Sequence, residues 1–240
     1  MTCDVLAVGA HPDDVELGIG GTLAKLAMQG YSVILLDLTR ARLSTRGDIV
    51  TREQEAAKAA EILGAKGRIN LDLMEGSLLT DPNGLQKLVS TIRNLRPKLV
   101  LAPYFEDRHP DHGDASTLVQ KAYFWAGVTK FGDDQPPFRP HRVAYYFCHR
   151  EGPCSMVVDV SETFETKLAS VRAYRSQFNL EEGETANTFL SRPEFIDRVV
   201  SRSKNYGMQI GVAYGEPLFV REMNSVPDLM KWTKDQGDVG

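Results

Sequence analysis

The chain has 240 residues, of which 42% are hydrophobic and 25% charged. That length is enough for one large α/β domain with a substantial core, and the ordinary composition excludes a disordered chain or a coiled coil. The formal net charge of -4 at pH 7 excludes the strongly basic surface that nucleic-acid and membrane-surface partners require.

The cysteines and the N-terminal residues indicate the cellular compartment to expect for the protein. The three cysteines, Cys3, Cys148 and Cys154, lack the spacing of a disulfide framework. The first residues lack the basic and apolar regions of a signal peptide. No uninterrupted apolar stretch approaches the roughly 20 residues that span a bilayer. We therefore expect a soluble cytoplasmic protein with no nucleic-acid partner and no membrane partner.

The first half of the chain alternates predicted strands with predicted helices. The strands are expected at residues 4–9, 32–38, 67–73 and 98–103. The helices are expected at residues 17–29, 51–63 and 81–95. Nearly continuous apolar strands that alternate with helices are typical of a parallel sheet covered on both faces.

Two helix starts in this half are predicted from capping patterns. Thr51 and Gln54 form a capping box for the second helix. Asp81 fits an N-cap for the third helix, because Pro82 follows it and proline is favoured at the first helical position.

The second half is less regular. Residues 132–140 form a predicted loop rich in Asp and Pro. Strands are expected at residues 142–148, 156–160 and 217–220, and helices at residues 161–178 and 191–206. A capping box from Ser191 to Glu194 opens the last helix. One domain is expected over residues 1–240, with a loosely held polar tail from about residue 225.

Two polar clusters follow the first and fourth predicted strands. A His-Pro-Asp-Asp run begins at His11, and an Asp-Arg-His-Pro-Asp-His run begins at Asp107. In open α/β sheets, ligands bind beyond the carboxyl ends of the strands. Although the clusters are about 100 residues apart in sequence, we expect them on the same rim of the sheet.

Together the clusters predict a metal site. A single His-Pro-Asp after a strand is usually a turn. Two of them on one rim favour a metal, because desolvating so many ionisable groups is costly without one. A catalytic zinc needs three protein ligands and one open position. Spacing alone leaves the choice of ligands open, and one suitable set is His11, Asp14 and His112. That set leaves for catalytic or supporting roles Asp13, His109 and Asp111.

These motifs resemble the LmbE/PIG-L family of metal-dependent N-acetylglucosaminyl deacetylases. The run AHPDDVELGIGGTLAK from Ala10 and the run DRHPDHG from Asp107 are most similar to the bacillithiol-biosynthesis deacetylases. Shorter runs support the resemblance: TRG from Thr45, AYRSQF from Ala173 and YGE from Tyr214. The resemblance spans nearly the whole chain.

The resemblance implies a fold, a metal and an assembly. The implied fold is an α/β Rossmann-like three-layer sandwich with a mostly parallel central sheet. Zn2+ is the usual metal, and Fe2+ is the alternative in the cell, because mixed histidine and carboxylate ligands do not select zinc absolutely. Family members often form homo-oligomers, hexamers among them. The implied ligands are His11, Asp14 and His112.

The resemblance also implies catalytic roles for three residues. Asp13 matches the general base of the family. His109 matches the histidine that stabilises the oxyanion or protonates the leaving amine. Asp111 matches the carboxylate that orients this histidine.

The implied substrate is an N-acetylglucosaminide, with N-acetylglucosaminyl-malate as the first expectation and another sugar conjugate, such as one of myo-inositol, as the alternative. We expect Arg46, Arg52 and Arg108 to bind it. Surface ion pairs, or support of a loop by Arg108, are the alternatives. Arg42 stands where relatives commonly carry Glu. It either favours an anionic aglycone such as malate or is simply solvated.

Two other functions compete with hydrolysis. Gly18 and Gly20 follow the first strand, and Asp37 ends the second, which partly imitates a dinucleotide-binding oxidoreductase. However, Leu23 stands where the third glycine belongs, and the acidic turn would repel a pyrophosphate. A non-catalytic metal-binding or interaction protein is the second alternative, and an intact Asp13 and His109 argue against it.

Overall fold

A central sheet organises the chain, for which the computed structural model describes residues 2–178, 188–192, 194–223, 225, 227–228 and 230. Seven strands of these residues form it, in the order β3-β2-β1-β4-β5-β7-β6. The strands are β1 Val5–Gly9, β2 Val33–Asp37, β3 Gly67–Asn70, β4 Leu99–Pro103, β5 Arg142–Tyr146, β6 Met156–Asp159 and β7 Gly215–Phe219. Most of the tail from about residue 225 lies outside the described residues.

The first five strands are parallel, and β7 pairs antiparallel with both β5 and β6. This confirms the mostly parallel sheet. The chain order reverses where β1 lies between β2 and β4. Such a reversal leaves a crevice at the carboxyl ends of the two central strands. The crevice lies where the His11 and Asp107 clusters leave β1 and β4.

Helices cover both faces of the sheet, which confirms the three-layer α/β prediction. Leu6 and Val8 of β1 point into the core beneath α3 and α4, whereas Val5 and Ala7 point toward α1. No helix of the described residues is both long and apolar enough to cross a membrane. The helices are α1 Asp14–Met28, α2 Ile49–Ile62, α3 Gly84–Leu95, α4 Pro110–Ala126, α5 Phe164–Arg172, α6 Arg175–Phe178 and α7 Glu194–Gln209.

The two predicted caps of the first half are wrong in detail. The N-cap of α2 is Asp48, whose carboxylate accepts the Thr51 backbone N–H at 2.7 Å, so the helix begins before the predicted capping box. The N-cap of α3 is Asn83. Asp81 instead accepts the backbone N–H groups of Met74 and Asn83, so its carboxylate closes the preceding loop.

The helices α4, α5 and α6 also differ from the sequence prediction. The sequence prediction omits α4, although it has Pro110 in its first turn and His109 as its N-cap. The helix predicted over residues 161–178 is broken into α5 and α6 at Ala173 and Tyr174. The capping box predicted from Ser191 includes a residue outside the described part of the chain.

Candidate metal and catalytic site

A cleft of about 380 Å³ opens at the carboxyl ends of β1 and β4. Asp14 begins α1 directly after β1, and His112 lies in the first turn of α4 after β4. The strand ends therefore bring both predicted clusters to one rim. All six residues with predicted metal or catalytic roles line the cleft: His11, Asp13, Asp14, His109, Asp111 and His112.

The carboxylate of Asp14 lies between two imidazoles. Its Oδ2 is 3.4 Å from His11 Nδ1, and its Oδ1 is 3.1 Å from His112 Nε2. All three side chains are buried. Burial alone would raise the pKa of Asp14, but the two imidazoles hold this pKa well below its ordinary value. The three side chains therefore form a compact set of oxygen and nitrogen donors around an ionised carboxylate.

The other ring nitrogen of each imidazole contacts a second carboxylate. Asp111 Oδ2 is 3.1 Å from His11 Nε2, and Asp107 Oδ1 is 3.2 Å from His112 Nδ1. Metal-bound histidines usually pair their other ring nitrogen with a carboxylate or a carbonyl in this way. The donor set therefore fits zinc, with His11 Nδ1 and His112 Nε2 as the nitrogens that face Asp14.

The carboxylates around His11 and His112 favour the protonated form of both imidazoles. Burial opposes a proton on His11, but Asp111 and Asp14 together raise its pKa to about 9. Burial also opposes a proton on His112, and Asp14 is the main group that raises its pKa well above the ordinary value. Both imidazoles must lose these protons before a metal can bind, so metal and protons compete for the site.

Other combinations of ligands are close enough to be weighed. Ligand atoms of His11, His109 and His112 lie within 4.8 Å of one another, as do those of Asp14, His112 and Cys148. Asp14 contacts both imidazoles, whereas His109 is exposed at the mouth of the cleft. We retain Asp14 as the expected third ligand, with the family resemblance as the further support.

Asp13 occupies a costly conformation. Its φ of 112° is positive, which is uncommon for a residue other than glycine, and it is the N-cap of α1. Its side chain is buried, and this burial raises the pKa to about 7, with Arg52 opposing the rise. Strain and a perturbed carboxyl together are typical of functional positions. Asp13 therefore suits a base that works near neutral pH.

His109 presents one ring nitrogen for chemistry. Its Nδ1 accepts the backbone N–H of Asp111 at 3.2 Å, so the neutral ring carries its proton on Nε2. Burial, followed by the imidazoles of His11 and His112, lowers the pKa of His109. The ring is thus a neutral Nε2–H donor near the two buried histidines.

The structure places the Asp111 carboxylate differently from the expectation. It contacts His11 Nε2, and both of its oxygens accept the backbone N–H of Gly76 at 3.1 Å. Asp111 binds the His109 ring through its backbone N–H, and the charge of its carboxylate acts to raise the pKa of His109 from a longer distance. The orienting contact expected for His109 is therefore made to His11.

The three predicted substrate-binding arginines have different surroundings. Arg52 is buried, donates to Asp13 Oδ2 at 3.2 and 3.3 Å, and donates to the Pro12 carbonyl at 2.6 Å. Arg46 is buried and donates through Nε to the Ser176 carbonyl. Arg108 is exposed and lines the cleft. Arg52 thus holds Asp13, and Arg108 has the exposure that a substrate contact requires.

Sequence reasoning assigned no role to two residues of the cleft. The His149 ring stacks on the His112 ring, with centroids 5.4 Å apart. His149 follows β5, which neighbours β4, so the strand-end rule could have indicated it. Glu75 Oε1 lies 3.7 Å from His11 Nε2. No sequence signal marks Glu75, because it reaches the cleft from a loop.

The features that imitate a dinucleotide site have other partners. Glu216 accepts the backbone N–H groups of Gly21 and Thr22 at 3.0 and 2.6 Å, which are the groups that would otherwise face a phosphate. Asp37 is bound by the Arg68 guanidinium through two contacts of 2.6 and 2.7 Å. The structure therefore favours the metal cleft over the dinucleotide alternative.

The part of the chain that holds both clusters is similar to known proteins. The family model described as PIG-L, GlcNAc-PI de-N-acetylase, matches residues 6–123, which include both clusters. Diacetylchitobiose deacetylase of Thermococcus kodakarensis is 33% identical over 189 residues, covering 72% of this chain and 70% of that protein. A Bacillus cereus protein named "Probable N-acetyl-alpha-D-glucosaminyl L-malate deacetylase 2" is 29% identical over 193 residues, covering 74% and 84%.

Solved structures extend the likeness to the whole fold. A conserved protein from Thermus thermophilus is 37% identical with a TM-score of 0.83, covering 94% of this chain and 98% of that chain. N,N'-diacetylchitobiose deacetylase from Pyrococcus horikoshii is 25% identical with a TM-score of 0.78, covering 94% and 88%.

Fold, cleft and comparisons define the class first: this is a metal-dependent N-acetylglucosaminyl deacetylase, a hydrolase of N-acetylglucosamine-type conjugates. Within that class, the chain belongs to the PIG-L family, also called LmbE.

Proposed function

We propose that the protein is a zinc-dependent hydrolase that removes the N-acetyl group of an N-acetylglucosaminide. The observation that carries this proposal is the Asp14 carboxylate between His11 and His112, with Asp13 lining the same cleft. We propose His11, Asp14 and His112 as the zinc ligands. When bound, zinc polarises the amide carbonyl and makes water more acidic.

Asp13 acts as the general base in this proposal. It removes a proton from the water that attacks the amide carbonyl. Arg52 fixes the carboxylate by holding its Oδ2 and the preceding Pro12 carbonyl. Because Arg52 is buried, we propose that it acts through Asp13 and does not contact the sugar.

His109 stabilises the tetrahedral oxyanion in this proposal. Its Nε2–H donates to the negative oxygen, because its Nδ1 is occupied by the Asp111 backbone N–H. The leaving amine takes its proton from Asp13, once Asp13 holds the proton of the water, because a neutral His109 would have to become an imidazolate to supply one. The products are acetate and a free glucosaminyl amine. Asp111 keeps His11 in place through the contact at Nε2.

Two aglycones are candidates. The motif resemblance and the Bacillus cereus relative support L-malate, which would place the reaction in bacillithiol biosynthesis. The Thermococcus kodakarensis relative supports a second acetylated sugar. Of the three arginines, we propose only Arg108 as a direct substrate contact, because it is exposed on the wall of the cleft.

The metal, the compartment and the assembly complete the proposal. Iron(II) is the alternative to zinc, because imidazole and carboxylate ligands bind both. The sequence supports a cytoplasmic protein, and the family resemblance supports a homo-oligomer, with a hexamer as one form. Metal analysis of protein purified from its own cells tests the metal, and a mass measurement in solution tests the assembly.

A free-amine release assay tests the proposed activity. The zinc-loaded protein is incubated with a panel of N-acetylglucosaminides, with and without a chelator. We expect amine release that the chelator abolishes and added zinc restores. A zinc-loaded protein that released amine from no member of the panel would favour the non-catalytic metal-binding alternative.

A further inference from the structure

A second cavity adjoins the metal cleft. It also has a volume of about 380 Å³, and Leu43 and Glu75 line both spaces. The backbone N–H of Leu43 donates to Glu75 Oε2 at 3.0 Å, so these two residues form a shared boundary. The other carboxylate oxygen of Glu75 is 3.7 Å from His11 Nε2. The two cavities are therefore direct neighbours on either side of Leu43 and Glu75.

Apolar side chains line this second cavity. Leu43 is 73% exposed and Met74 is 60% exposed, and both contribute to its walls. Large apolar side chains left open beside a functional cleft are typical of a ligand surface. Their exposed faces suit a ligand with an apolar face of its own, such as a sugar ring.

The charges of the second cavity do not suit an anion. Its walls carry three carboxylates, Asp72, Glu75 and Asp81, and one guanidinium, that of Arg42. Arg42 donates to Asp72 Oδ1 at 2.6 Å, and Arg40 Nε lies 3.2 Å from the same oxygen. The arginine that could have attracted a malate carboxylate thus faces a carboxylate of the protein. The remaining acids repel a negative aglycone and can accept hydrogen bonds from hydroxyls.

We propose that the second cavity is the aglycone subsite and takes a neutral sugar ring in preference to a dicarboxylate such as malate. This inference rests on the proposed function, because the cavity matters only if an N-acetylglucosaminyl group occupies the cleft. It decides against the first of the two roles that the sequence allowed for Arg42, the attraction of an anionic aglycone. The ring would lie against Leu43 and Met74, with its hydroxyls toward Asp72 and Glu75.

Three substrates test this subsite on the zinc-loaded full-length protein. They are methyl N-acetylglucosaminide, N,N'-diacetylchitobiose and N-acetylglucosaminyl-malate, compared by kcat/KM for amine release. We expect the disaccharide to exceed the malate conjugate by about tenfold or more. An equal or higher kcat/KM for the malate conjugate would overturn the inference. Failure with all three substrates would instead overturn the proposed function.

Two variants separate the apolar and the charged contributions. Met74→Ala should lower the ratio of disaccharide to methyl glycoside kcat/KM by roughly three- to tenfold, because apolar contact is lost. Met28→Ala is the matched control, since Met28 is 70% exposed and does not line either cavity. An unchanged ratio for Met74→Ala would contradict the apolar contact.

The charged variant is Asp72→Asn. Asp72 has a φ of 51°, which asparagine tolerates, so the backbone should be kept. Removing this carboxylate releases Arg42, and kcat/KM for the malate conjugate should rise by roughly three- to tenfold relative to the disaccharide. No change in this preference, in a variant that melts like the wild type, would contradict the charge argument.

Discussion

Asp13 combines an unusual backbone conformation, a buried side chain and a proposed catalytic role. Its positive φ and its burial are both costly, and both are consistent with the role proposed for it. Asp13→Asn keeps the shape of the side chain and tolerates the same backbone conformation. We expect kcat to fall by roughly 100- to 10,000-fold, because the general base is lost. Zinc content should stay at the wild-type level, and near-normal turnover with zinc bound would contradict the role of Asp13.

Arg52 allows the expected substrate contact and the proposed positioning role to be separated. Arg52→Lys keeps the charge, but one ammonium group cannot hold both Asp13 and the Pro12 carbonyl as the guanidinium does. We expect kcat to fall by roughly tenfold while KM stays within about twofold. The control is Arg142→Lys, which changes an exposed arginine at the end of β5 opposite the cleft. A raised KM with an unchanged kcat would show that Arg52 contacts the substrate.

The protons on His11 make the stability of the metal-free protein depend on pH. The pKa of His11 is raised from 6.5 to about 9 in the folded chain, so the folded state holds this proton more tightly than the unfolded state. The resulting stability is complete below pH 6.5 and is lost as the pH rises through 9. The pKa of Asp13, raised from 3.8 to about 7 by burial, acts in the same direction at lower pH, because its contribution is lost as the pH rises through 7.

Urea unfolding of the chelated protein at pH 6.5 and at pH 9 measures this effect. We expect the free energy of unfolding to fall by roughly 1–3 kcal/mol between these values. The zinc-loaded protein should lose less, because the metal replaces the protons. A metal-free protein whose stability rose with pH would contradict the ion pairs around Asp14.

At the scale of the elements, a buried ion pair supports the break in α1. Ile19 has a non-helical φ of -140°, and the carboxylate of Glu216 binds the backbone N–H groups that follow this break. Lys167 Nζ donates to the same carboxylate at 2.5 Å, with both side chains buried. Lys167→Met should cost about 3–5 kcal/mol, because it leaves a buried charge unpaired.

Denaturant unfolding of single and double variants checks this pair. Adding Glu216→Gln to Lys167→Met should recover part of the loss, because the two changes remove a contact they share. Lys58→Met is the control, since Lys58 is exposed and pairs with Glu61 at the surface. Its effect should stay within about 0.5 kcal/mol. An equally small effect of Lys167→Met would contradict the importance of the pair.

The elements show where sequence patterns suffice. Each of the seven described strands overlaps a predicted strand. β1, β2 and β4 stand out locally because they are buried, nearly continuous apolar runs. The helix α4 was not predicted because its large apolar side chains Phe124 and Trp125 are exposed, which obscures its periodicity. The predicted N-cap at Asp81 was wrong because its carboxylate accepts the backbone N–H of Met74 in the preceding loop.

The candidate site also has features that the sequence predicted and features that it did not. The positions of His11, Asp14 and His112 on one rim follow from strand ends and motif spacing. The environment of Arg52 could not be predicted, because it depends on packing between α2 and the loop after β1. Glu75 enters the cleft from a loop whose course no local pattern specifies. Contacts made across the fold were therefore beyond the sequence.

At the scale of the whole molecule, the order of the strands brings the two polar clusters together. The reversal at β1 opens a crevice beside β4, and both clusters enter it because each directly follows one of these strands. The central claim is that a metal in this crevice, held by His11, Asp14 and His112, makes amide hydrolysis possible.

Titration of zinc into the chelated protein, with amine release recorded at each step, tests that claim most directly. Activity should rise in proportion to zinc and level off at one zinc per chain. His112→Ala, which removes one ligand, should abolish this saturable response. Full amine release by the chelated protein without added metal would contradict the account.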